Sequence, residues 1–85
     1  METDLNYYRS RIDEIDGELA SLLARRFAVV DGIAEYKRGH GLQVYDSSRE
    51  DSVLQKVAIL AGEKYSEDVM AVYQRIFEVS RNRQA

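Results

Sequence analysis

One cation stands where a helical pattern asks for an apolar residue. Apolar or aromatic side chains at Leu5, Tyr8, Ile12, Ile15, Leu19, Leu22, Val29, Ile33 and Tyr36 recur in alternating steps of three and four. That is the seam of a helix packed on other helices. Position 26 breaks the series with an arginine, which is costly at a seam unless its charge is paired. Lys37 follows about three helical turns later and points within roughly 20° of Arg26. Two cations on one inner face suit an anionic ligand. The plainer alternative pairs Arg26 with a buried carboxylate such as Glu50 and leaves Lys37 as a solvated helix-end residue.

Further polar residues fit the same chemistry without proving it. Arg9 flanks the seam but lies roughly 25 Å from Arg26 along a helix axis. No small molecule touches both within one helix, whereas an antiparallel partner chain brings its own Arg9 alongside Arg26 and Lys37. Arg11, Arg25 and Arg38 read as ordinary surface charges. Asp46, Arg49 and Glu50 crowd the start of a second helix, where local capping and a surface ion pair explain them equally well. Ser80 and Gln84 are four positions apart on the inner stripe of a third helix and are placed to hydrogen-bond around a polar pocket. The competing reading is a fraying C-terminus. His40, between two glycines, reads as a turn residue.

The elements that must carry these groups are helices. The sequence has no Pro and 5 Gly in 85 residues, so little interrupts a helix. One helix is predicted from about Leu5 to Arg38, ending at Gly39-His40-Gly41. A second starts near Ser47, where Ser47 and Glu50 match a capping box and Asp46 competes as the cap. Its stripe is Val53, Leu54, Val57, Ala58, Leu60 and Ala61, and Gly62 ends it. Ser66 is expected to cap the third, whose stripe is Val69, Val72, Tyr73, Ile76 and Phe77. The fold class is all-α, one domain over residues 1–85.

Size and composition narrow the rest. The absence of Cys and the single His exclude thiol nucleophiles and argue against a His-rich metal site. A net charge of -3 argues against a general nucleic-acid or membrane-surface binder. No apolar run approaches a membrane span, and METDLNYY is too acidic and polar for a signal peptide, so a cytoplasmic location is expected. A helix of about 34 residues is roughly 50 Å long, against a diameter of roughly 30 Å for a compact chain of this size. The seam therefore overhangs its own domain, and a two-fold, intertwined homodimer is the expected cover.

The ordered residues resemble the all-α class of chorismate mutases over nearly the whole chain. The segments that carry the likeness are RSRIDEIDGELASLLARR, then IAEYK, VYDSSRE and IFEVSRNRQ. The resemblance implies an intertwined helical homodimer with two sites. By position, Arg9 matches an arginine reaching into the neighbouring protomer's site, and Arg26 one that binds a substrate carboxylate. Lys37 matches the lysine that contacts the ether oxygen and a carboxylate. Asp46 and Glu50 match residues around the ring hydroxyl, with Arg49 between them. Ser80 and Gln84 match a Ser and Gln pair, the Gln facing the ether oxygen. Many members have Pro in the loop where this chain has Gln43 and Ser47.

The implied reaction is a Claisen rearrangement of the dianion chorismate to prephenate, with no cofactor, metal or nucleophile. Lys37, Gln84 and Arg26 are its expected catalytic groups. Some short relatives gain activity by docking on the aldolase-like synthase that opens the shikimate pathway. Rival readings on the same fold act on isochorismate or aminodeoxychorismate. The typical isochorismate lyase lacks acids matching Asp46 and Glu50. A non-catalytic helical dimerisation module gains nothing from Arg26 in its seam.

Overall fold

The computed structural model describes residues 4–85, so the first three residues of METDLNYY lie outside the described residues. Three helices account for the described fold: α1 (Leu5–His40), α2 (Ser47–Ala61) and α3 (Ser66–Gln84). The all-α expectation holds.

Local chemistry sets the ends of α1. Asp4 caps its start, with Oδ1 accepting from the Tyr7 amide at 3.0 Å. The helix runs through His40, two residues past the expected end, because Gly41 turns left-handed at φ 63°. The Leu42 amide then reaches back to the Lys37 carbonyl at 2.9 Å, the hydrogen bond of a Schellman ending. His40 is thus the last helical residue, not a turn residue. Its ring stacks on Tyr36 with centroids 3.9 Å apart.

One cap resolves two stated alternatives and another differs from expectation. α2 is capped by Asp46, whose Oδ1 accepts from the Arg49 amide at 3.0 Å, and not by a Ser47–Glu50 box. Glu50 is committed elsewhere, as described below. α3 begins at Ser66 itself, with Tyr65 at the cap position and no side-chain cap. The Ser66 hydroxyl instead donates to the Glu63 carbonyl at 3.4 Å. Gly62 ends α2 as expected, at φ 83°.

α3 is the central helix. It packs on both α1 and α2, which do not pack on each other. Leu23 and Phe27 are half-buried and Val30 and Ala34 buried along one stripe of α1, and among the described residues the buried apolar side chains are Val30, Ala34 and Phe77. The long seam is a second face. Every one of its apolar residues from Leu5 to Tyr36 is exposed, from 42% at Ile33 to 64% at Val29. The molecule is accordingly elongated, 60 × 25 × 15 Å, with a radius of gyration of 16.4 Å. A compact chain of this length has about 12 Å.

Candidate active site

A cavity of about 540 Å³ opens where the later half of α1, the start of α2 and the last turns of α3 converge. Its walls include Arg26, Lys37, Asp46, Arg49, Glu50, Ser80 and Gln84. The structure thus brings together every candidate residue except Arg9. That residue is exposed on the early turns of α1, outside the cavity of its own chain. Leu22, Val29, Val30, Ile33, Val44, Val53 and Phe77 supply the apolar part of the wall.

Arg26 enters from α1 with no counter-charge among the described residues. Its Nη1 donates to Ser80 Oγ at 3.2 Å. Its guanidinium carbon lies 5.7 Å from the Tyr73 ring centroid and 5.9 Å from that of Phe77. The expected alternative, pairing with Glu50, is not what forms. Neutral partners hold the side chain in place and leave its positive charge for something else. Ser80 is well placed as that partner, because it is buried and its hydroxyl donates to the Ile76 carbonyl at 2.7 Å. The oxygen is then free to accept from Arg26.

Lys37 is half-buried and donates from Nζ to the Val44 carbonyl at 2.7 Å. This bond ties the loop after α1 to the helix that precedes it and so places the start of α2. It spends one of the three ammonium donors. Asp46 contributes its carboxylate to the cap of α2, which orients the first turn carrying Arg49 and Glu50.

Gln84 closes the far wall. α3 is helical to this residue, and the Ala85 amide donates to the Arg81 carbonyl at 3.1 Å, so the expected fraying is not seen. Gln84 Nε2 donates to the Ser80 carbonyl at 3.2 Å. Its Oε1 is buried with no hydrogen-bond partner among the described residues, an unmet need that calls for a cause. Outside the cavity, Arg83 grips Asp31 with Nε to Oδ1 at 2.9 Å and Nη2 to Oδ2 at 2.6 Å. That fork joins the end of α3 to α1. It holds the Asp31 carboxyl below its ordinary range, chiefly by hydrogen bonding.

Two cavity residues escape a reading of the sequence. Arg25 reads as surface but lines the cavity. Arg81 carries no mark of its own, although Phe77, Arg81 and Gln84 follow helical spacing on one face of α3. Its Nη1 donates to both carboxylate oxygens of Glu50, at 2.7 and 2.5 Å. Its guanidinium also faces the Tyr45 ring at 5.3 Å. Among the described residues, Arg25, Arg26, Lys37 and Arg49 join no ion pair. The cavity can therefore bind an anion with fixed charges, and no cluster able to hold a metal occurs among the described residues. No helix of the described residues is long and apolar enough to cross a membrane.

The chain matches the family described as chorismate mutase type II over residues 8–85. It is 43% identical over 47 residues to the T-protein of Haemophilus influenzae, covering 55% of this chain and 12% of that protein. It is 37% identical over 76 residues to the bifunctional chorismate mutase/prephenate dehydratase of Buchnera aphidicola, covering 86% of this chain and 20% of the relative. Against the chorismate mutase of Methanocaldococcus jannaschii, identity is 28% over 71 residues, covering 84% and 70% of the two chains. The chain spans only 12%, 14% and 20% of the length of the first three relatives. No solved structure matches it.

Proposed function

The chain belongs to the chorismate mutase type II family, and from that membership we propose that residues 1–85 form one cytoplasmic mutase domain. It rearranges chorismate to prephenate in aromatic amino-acid biosynthesis. The observation that carries this reading is the convergence of Arg26, Lys37, Arg49 and Gln84 on one cavity, with none of the three cations in an ion pair among the described residues.

The reaction needs a folded substrate and stabilisation of charge. Guanidinium groups bind carboxylates in a planar, directional way. Arg26, steadied by Ser80, takes one carboxylate, and Arg9 of a second copy takes the other. Holding the chair-like conformer lowers the barrier by orientation. As the carbon–oxygen bond breaks, negative charge grows on the ether oxygen. Lys37 and Gln84 donate hydrogen bonds there that strengthen as the charge develops. Asp46 and Glu50 attend the ring hydroxyl, with Arg49 between them. The rearrangement is intramolecular, so no proton, nucleophile or cofactor enters its balance.

The second copy is supported by the exposed seam of α1. Nine apolar or aromatic residues in one helical series lie open along about 50 Å of helix. A homodimer with two-fold symmetry covers both seams at once. It also shortens the gap that keeps Arg9 from the cavity in one chain.

The deciding experiment follows loss of the enolpyruvyl-diene absorbance of chorismate, with prephenate identified as product. It is run on the chain alone and with the synthase that opens the shikimate pathway. Prephenate formation above the uncatalysed rate is expected. Its absence under both conditions contradicts the proposal.

A further inference from the structure

We propose that Arg81 is a specificity-determining residue: through its ion pair with Glu50, it sets the cavity against ligands that carry a positively charged substituent. The choice of ligands rests on the mutase reading above, but the electrostatic argument stands on the cavity itself.

Arg81 follows Ser80 on α3 and lines the same cavity as Arg26 and Lys37. One of its nitrogens bridges both oxygens of Glu50, and the pair is largely shielded, with side-chain exposures of 32% and 19%. The Tyr45 ring backs the guanidinium. Glu50 and Asp46 are the two carboxylates of the cavity wall; Asp46 accepts one backbone amide at the cap of α2 and keeps its charge, whereas Glu50 is paired with a guanidinium. Of the two, Glu50 is the carboxylate whose attraction for an ammonium Arg81 neutralises.

A ligand amine that is protonated at neutral pH meets two penalties here. It must compete with Arg81 for Glu50, or else sit beside a guanidinium of like charge in a cavity already rich in cations. A hydroxyl meets neither. It donates to a lone pair of Glu50 that Arg81 leaves open, since a carboxylate offers about four acceptor sites. The cavity therefore favours chorismate, with its ring hydroxyl, over aminodeoxychorismate, which carries an amine in that place.

The test compares kcat/KM for chorismate and aminodeoxychorismate at neutral pH in the unaltered chain, Arg81→Gln, Arg81→Leu and Arg81→Lys. The unaltered chain and Arg81→Lys are expected to prefer chorismate. The two neutral variants shift that ratio toward the amine by about tenfold or more, the scale of losing one nearby like charge in a shielded site. Gln keeps a donor for Glu50 and Leu does not, so one variant still reads the charge if the other fails to fold. Raising the pH until the amine is neutral narrows the preference in the unaltered chain. An unchanged ratio in both neutral variants overturns the role of Arg81. If the unaltered chain turns over neither compound, alone or with the synthase, the mutase reading fails by itself, and the same ratio is read from dissociation constants by calorimetry. Equal ratios there, or binding of neither compound, also overturn the inference.

Discussion

Lys37 joins a structural bond and the proposed chemistry in a single ammonium group. One N–H holds the Val44 carbonyl at 2.7 Å, and the remaining donors are available to a ligand in the cavity. Replacing it by Ala removes the charge that would meet the developing ether oxyanion, while α1 loses no backbone hydrogen bond. Turnover of chorismate is expected to fall by roughly two orders of magnitude or more, with helical content and oligomeric state unchanged by circular dichroism and light scattering. A rate close to that of the unaltered chain would remove Lys37 from the chemistry. Arg26 shows the complementary device. Its seam position is stabilised by Ser80 and two aromatic rings, so the charge is held but not cancelled. An Arg–carboxylate pair at this place would have been a structural feature and little more.

Among the elements, the end of α1 and the end of α3 decide where these side chains stand. Gly41 occupies the left-handed region, with nothing near the space a Cβ would take. Gly41→Ala therefore carries a conformational cost alone, about 1 kcal/mol, read as a lower urea midpoint with an unchanged slope. At the other end, the Asp31–Arg83 fork fixes the last turn of α3 to α1. The folded-state pKa of Asp31 is depressed, so its contribution is present above the unfolded value and is lost as pH falls through the folded one. Asp31→Asn should be slightly less stable than the unaltered chain at neutral pH, with the difference shrinking as pH is lowered from about 4. A difference that grows on acidification would contradict the ion pair.

The same elements show what a linear reading can reach. Helix stops at Gly41 and Gly62 were legible because glycine acts locally. Position 26 was legible because a charge in a seam violates a short-range period. The choice between Asp46 and a Ser47–Glu50 box at the start of α2 was not, since Glu50 pairs with Arg81, 31 residues on. No local motif reports that attraction. Nor does the apolar series of α1 separate its two faces, since Leu23, Phe27, Val30 and Ala34 form a stripe beside the seam that only α3 reveals.

At the scale of the whole molecule, one chain leaves much apolar surface open. Its buried apolar core is small, its seam is open from end to end, and Arg9 lies far from the cavity that the other candidate residues share. The proposed second copy would resolve all three, and the proposed site would then take Lys37 from one chain and Arg9 from the other. Mixing Arg9→Ala with Lys37→Ala after unfolding and refolding together tests that claim directly. Each variant alone is expected to be nearly inactive. Their mixed dimer contains one site with both residues intact and one with neither. Random reassembly should restore about a quarter of the unaltered chorismate mutase activity. A mixture as inactive as either variant alone would contradict a site shared between chains.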